Sequence, residues 1–249
     1  MIDYLKLAKE DIETSLILYN QKKNSNALYH YHQGVEKTVK YVGLSIGGIS
    51  ETQLNKEIKH DPIKVFSNLF KYFSENSGGL VPPVSPHIIT NAKQTVDSWS
   101  EEDLINSAWN LLKTVTDEPK IIDEQQFSSP FEALCNHINK EAPELNLGPE
   151  NELFKKYAEV RLKNEAINMI MIINYGTKIL QILFINSLIC SKFKPDEFRY
   201  PSENIGNPTE YFNEDNLIIK NLYFFINSMK VSIEISSKIK WKMKPLFEK

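Results

Sequence analysis

Apolar residues recur at three- and four-residue steps along nearly all of this chain, and that period most constrains its fold. In residues 26–46 the stripe is Leu28, Tyr31, Val35, Val39, Val42 and Ile46. Such spacing lines one face of an α-helix, and no segment shows the two-residue alternation of a strand. An earlier stripe runs Ile2, Leu5, Ala8, Ile12, Leu16 and Tyr19. Lys22, Lys23, Asn24 and Ser25 interrupt the two, and Gly47-Gly48 ends the second. The pair predicts an αα-hairpin whose second helix closes on a left-handed glycine.

Further signals extend the helical pattern. Residues 51–75 predict one or two helices interrupted at Pro62. The Gly, Pro and Ser content of SENSGGLVPPVSP predicts a loop. Ser100 followed by Glu101, Glu102 and Asp103 predicts a capped helix to about Val115, and another short one falls at about 130–141. Gly148-Pro149-Glu150 opens a long helical stretch toward Cys190, with a bend at Gly176. Residues 194–212 predict a loop, and Asn213-Glu214-Asp215 the start of a last helix with the stripe Ile218, Leu222, Phe225, Met229 and Ile233. The basic end KIKWKMKP complements that helix's dipole. The expectation is one all-α domain, an up-down helical bundle. Its core comes from 1–75 and 150–245, with a helical insertion at about 76–149.

Composition narrows the function. The 249 residues carry a net charge of −3, which removes a whole-chain electrostatic case for nucleic acid and leaves a local patch open. Cys135 and Cys190 lie too far apart in sequence to form a metal-ligand pair, and their scarcity fits a reducing cytoplasm. The acidic start MIDYLKLAKEDIE does not resemble an export signal. Residues 167–190 are long and apolar, but Asn168, Asn174, Lys178, Gln181 and Asn186 favour a buried central helix over a membrane span.

The second helix reads Tyr29-His30-Tyr31-His32-Gln33-Gly34-Val35-Glu36-Lys37-Thr38-Val39-Lys40-Tyr41. This resembles the signature of the HEPN family (higher eukaryotes and prokaryotes nucleotide-binding). Gln33, Val35, Glu36, Lys37 and Lys40 match it. His32 stands where a first Gln is usual, and Tyr41 where a small residue is usual. His60-Asp61 with Ile63 and Phe66 resembles the family's His-Asp-Leu segment. Arg199-Tyr200-Pro201 and the closing helix resemble its Arg-Tyr-Pro loop and last helix, and Ala8 and Asp11 fit its first helix. The similarity covers about 1–75 and 190–240.

The resemblance implies a HEPN-like accessory protein that binds nucleotide or RNA, as a homodimer. It also implies a nucleotidyltransferase-type partner in a toxin–antitoxin or phage-defence system. The alternatives are a divergent ribonuclease toxin and a helical protein–protein interaction module. The family's ribonucleases place a His four to six residues after an Arg. Here the only arginines are Arg161 and Arg199, and all five histidines (30, 32, 60, 87 and 137) precede them. Asn168 after Arg161 cannot transfer a proton at neutral pH. No catalytic residue is therefore assigned. P-loop, dinucleotide, HExxH and nucleophile-elbow motifs are absent too, and neither cofactor nor metal is expected.

On a wheel of about 100° per residue, Tyr29, Gln33, Glu36 and Lys40 share a polar arc, with Lys37 and His30 at its far edge. This arc is either a ligand surface or a solvated face held by a Glu36–Lys40 pair. As a ligand surface, Lys37 and Lys40 face phosphate and Gln33 a base or sugar, and replacing both lysines by Ala leaves the melting temperature nearly unchanged. Arg199 either adds a phosphate contact or packs its loop onto the helices. His30 and His32 point about 200° apart and cannot share a metal, and His32 suits the rim of the core. His60 suits a structural bond after the second helix, or a place near the ligand groove. Surplus apolar surface at 167–190 is the local reason to expect a homodimer.

Overall fold

A computed structural model describes residues 3–76, 98–115 and 172–241. Its six longer helices are α1 (Tyr4–Asn20), α2 (Asn24–Ile46), α3 (Pro62–Asn76), α4 (Glu101–Val115), α5 (Thr177–Ser191) and α6 (Leu217–Lys238). No strand occurs among the described residues, so the fold there is all-α. The readings at 130–141 and 148–150, together with His87, Cys135, His137, Arg161 and Asn168, fall outside the described residues.

Helices α1 and α2 form the expected hairpin. Ala8 and Ile12 pack against Leu28, Tyr31, Val35 and Val39 in one core. Gly34 permits the close approach: a Cβ there would stand 2.5 Å from Ile12 Cγ1. Ser15 Oγ donates to the Ala27 carbonyl at 2.7 Å, tying the two helices near their turn. At the turn, the amides of Lys22 and Lys23 donate to the carbonyls of Tyr19 and Leu18, with Lys22 at φ 60°. That is a Schellman-type helix end with lysine in the position that favours glycine. Gly47, at φ 86°, closes α2 as its place in the sequence predicts.

Helix α5 runs through the middle, packed on α2, α3, α4 and α6. Ile179, Ile182, Leu183, Ile185, Leu188, Ile189 and Cys190 are all buried. Packing against four helices explains why its sequence is mostly apolar, with only Gln181 exposed among its described side chains up to Cys190. Asn186 is wholly buried, and its polar atoms are satisfied. Tyr31 Oη donates to Oδ1, and Nδ2 donates to the Ile182 carbonyl at 2.7 Å. No helix among the described residues is long and apolar enough to cross a membrane. Most of the described apolar residues of 172–190 pack inside this chain, while Leu180 and Phe184 are half-buried and line a cleft with Phe66, Phe70 and Phe73 of α3.

Three details add to or differ from the sequence reading. Helix α4 lies within the stretch expected to be an insertion, yet Leu104, Ile105 and Ala108 join the common core. Trp109 stacks on Phe224 of α6 at 3.9 Å and donates from Nε1 to Asn221 Oδ1 at 2.6 Å. The last helix starts at Leu217, later than Asn213-Glu214-Asp215. Asn213 Oδ1 accepts from the Asp215 amide in a local turn, and Asn216 is the true cap, accepting from Ile218 and Ile219. The stripe from Ile218 to Ile233 is buried as expected. Residues 194–212 are more ordered than a plain loop, holding a 3-10 turn at Pro195–Phe198 and one helical turn at Pro208–Tyr211.

Candidate functional site

Helix α2 brings its polar side chains to three places rather than one surface. The first centres on Glu36, whose side chain is only 5% exposed. Lys40, 11% exposed, donates to Oε1, and His60 Nδ1 lies 3.2 and 3.3 Å from the two carboxylate oxygens. His60 reaches it from the turn before α3, where Lys59 adopts φ 52° and Asp61 Oδ1 accepts from the Ile63 amide. The His60 ring is 73% exposed. A bond from His60 to a backbone group is the expectation after the second helix; the partner here is the Glu36 side-chain carboxylate. The arc is not a solvated face here, because Glu36 and Lys40 are buried and paired. The expectation that Lys37 and Lys40 can be removed with little change in melting temperature rests on exposed lysines, and Lys40 is 11% exposed and paired with Glu36.

The second place is the α1–α2 seam. Lys37 Nζ donates to Asp11 Oδ2, and His30 Nδ1 lies 3.0 Å from Asp11 Oδ1. Lys37 also approaches Gln33 Oε1 at 3.5 Å. Both lysines proposed for phosphate are thus neutralised within the chain. His32 sits deeper than the rim of the core: it is 2% exposed and packs at 5.8 Å from the Phe198 ring. Its Nδ1 has no partner, and burial lowers its pKa to about 4, against the opposing pull of Glu36.

The third place is the start of α2. The Arg199 guanidinium carbon lies 5.1 Å from the centre of the Tyr29 ring and 5.4 Å from that of Tyr200. No carboxylate among the described residues pairs with it. The loop behind Arg199 is fixed from inside. Buried Glu197 accepts from the Lys194 amide at 2.8 Å and from Asn204 Nδ2 at 2.7 Å. Ser25 Oγ donates to the Phe198 carbonyl, fastening that loop to α2. Beside Arg199 opens a cleft of about 480 Å³, bordered by Lys22, Lys23, Ser25, Thr209 and Glu214 among others.

No family model, curated protein or solved structure matches the chain.

The six residues expected to meet a ligand fall into three separate pairs, and Arg199 joins only Tyr29. Gln33 and Lys37 stand over Asp11, while Glu36 and Lys40 belong to the His60 cluster. Sequence reasoning missed Lys22, Lys23 and Glu214 at the cleft. The signal for the lysines is their adjacency at a helix junction, where they also interrupt the periodicity. A second cleft, of about 560 Å³ between α1 and α6, mixes Lys6, Lys9 and Lys230 with Asp3, Glu13 and Glu234. Its charges are balanced, and it presents no convergent set. Among the described residues no group of three or more His, Cys, Asp or Glu side chains is placed to hold a metal.

Proposed function

We propose that this chain is a HEPN-like, non-catalytic accessory protein that binds the phosphate of a nucleotide or RNA at Arg199. One observation carries the proposal: Arg199 lies across two tyrosine rings, free of any described carboxylate, beside a cleft bordered by two lysines. A guanidinium presents a planar fork of donors that suits phosphate oxygens, and it is less strongly hydrated than an ammonium. Tyrosine rings offer faces on which bases stack regardless of sequence. Tyr200, more than half exposed, retains such a face. The α1–α2 hairpin and the meeting of the Arg-Tyr-Pro segment with the second helix support the HEPN-like reading.

By the same resemblance, the protein works in the cytoplasm beside a nucleotidyltransferase-type protein, as part of a toxin–antitoxin or phage-defence pair. A homodimer belongs to that proposal and is tested by light scattering over a range of concentrations.

The test is a binding screen of the full chain against nucleotides and short RNA. Binding that weakens with salt and is lost in Arg199→Ala supports the proposal. Binding unchanged in that variant, with the protein still folded, contradicts it.

A second proposal, residual RNA cleavage, has one observation in its favour. His30 and His60 each set Nδ1 on a carboxylate, as a histidine acting as base does. Neither borders the Arg199 cleft, and binding without cleavage remains the preferred function.

A further inference from the structure

We infer that the cleft beside Arg199 takes one terminal phosphate group, of a mononucleotide or of the end of a strand, and that Lys22 reaches this phosphate by releasing Glu214. This rests on the phosphate-binding proposal above and adds a ligand class and a competing residue.

Size and charge point to a single group. The cleft, at about 480 Å³, falls within the usual range of small-ligand pockets, roughly 300–1,000 Å³. Its cations are Lys22, Lys23 and Arg199, gathered at one opening. A groove for a continuous strand needs positive charge along a track. Helix α2 offers no such track, since Lys37 and Lys40 are bound to Asp11 and Glu36. The chain as a whole is acidic, at −3.

The Lys22–Glu214 pair spans this cleft. Lys22 belongs to the α1–α2 turn and Glu214 to the segment before α6, and both line the opening. Lys22 Nζ lies 2.8 Å from Glu214 Oε1, with the side chains 76% and 66% exposed. An ion pair this exposed to water is weak and exchanges readily. A phosphate monoester carries up to two negative charges and three acceptor oxygens, so it outcompetes one carboxylate for the ammonium. Lys22 also occupies the left-handed position of its turn, at φ 60°, where glycine is favoured. A lysine there costs backbone stability and places an ammonium over the cleft.

Calorimetric titration of the full chain tests the inference, with AMP, adenosine, and an RNA tetranucleotide with and without a 5′-phosphate. AMP is expected to bind and adenosine to fail. Glu214→Gln should tighten AMP binding about two- to fivefold, the range for removing a weak surface competitor. Lys22→Gly should weaken it several-fold while the melting temperature holds or rises. If the phosphorylated tetranucleotide binds and AMP does not, the ligand is a strand end; the inference stands, with Glu214→Gln then read on that probe. Equal binding of the two tetranucleotides, abolished by Arg199→Ala, would leave the Arg199 proposal intact and overturn the single-phosphate site. Unchanged or weaker binding in Glu214→Gln would overturn the competition. Failure of every probe would remove both proposals.

Discussion

Arg199 and Tyr29, far apart in sequence, meet with the guanidinium carbon 5.1 Å from the ring centre. This contact joins the late loop to the first turns of α2, and Arg199 also borders the cleft. One anchor of the Arg199 loop, the Glu197 carboxylate with its Lys194 and Asn204 donors, does not border the cleft, so the loop's placement can be tested apart from its chemistry.

Glu197 is the positioning residue in that division. It is buried and accepts from the Lys194 amide and Asn204. Glu197→Ala leaves those donors without their acceptor and should cost about 1–3 kcal/mol in chemical denaturation. Ligand affinity should fall with it, while Asn204→Ala, which removes one donor and spares the carboxylate, should cost less. Wild-type affinity in a folded Glu197→Ala protein would show that the loop does not need this anchor.

Lys40→Met should destabilise the protein by about 3 kcal/mol, because it leaves the Glu36 carboxylate buried with only His60 beside it. Adding Glu36→Leu should recover most of the loss, since apolar side chains can replace a buried ion pair at little cost. Urea unfolding of the single and double variants checks this. A loss below about 0.5 kcal/mol for Lys40→Met would place the pair among ordinary surface salt bridges.

The fate of Glu36 and Lys40 shows what the sequence could and could not tell. Their spacing identifies a favourable i,i+4 pair, and the pair is present. A helical wheel gives which residues share an arc and says nothing of what lies against it. The His60 turn arrives by way of Lys59 at positive φ, with no glycine to announce it. The core stripes of α1, α2 and α6 were legible because burial selects apolar residues at a fixed period. The start of α6 was not, because Asn213, Asp215 and Asn216 are all good cap residues and only tertiary packing selects among them. Tyr29 and Arg199 were legible singly, and the lysine pair was masked by its place in a turn.

His32 gives the fold a pH dependence. An imidazole ordinarily titrates near 6.5, and burial lowers His32 to about 4. Between those values the unfolded chain takes up a proton that the folded chain refuses. Stability should therefore fall as pH drops from about 6.5 to about 4, by up to about 3 kcal/mol, with no effect of this group above that window. The facing groups Glu36, His60 and Asp61 are unchanged in His32→Leu, so that variant should flatten the slope from this group. An identical slope in wild type and variant would assign it elsewhere.

Gly34→Ala should destabilise despite alanine's better helix propensity. The new Cβ would lie 2.5 and 2.6 Å from Ile12 carbons and 3.3 Å from the Ala8 carbonyl oxygen. Overpacking costs about 1–3 kcal/mol, against a propensity gain of at most about 1 kcal/mol. Gly34→Ala combined with Ile12→Val should lose less than the sum of the two single changes. A rise in melting temperature for Gly34→Ala alone would show that α1 can move away freely.

Purified protein should show no RNA cleavage that depends on any of its five histidines. Among the described histidines, His30 and His60 have carboxylate partners and are the variants to compare first. Cleavage lost in His30→Ala or His60→Ala, with folding preserved, would convert the binding protein into a nuclease.

The most direct test of the central claim is a backbone and arginine side-chain NMR titration of the full chain with AMP. Phosphate binding at Arg199 predicts that the largest shifts fall on the Arg199 guanidinium, the amides of Lys22 and Lys23 and the neighbourhood of Tyr29, and that they vanish in Arg199→Ala. Saturable shifts centred instead on Lys37, Lys40 and His60, or no saturable shift at any ligand concentration, would contradict it.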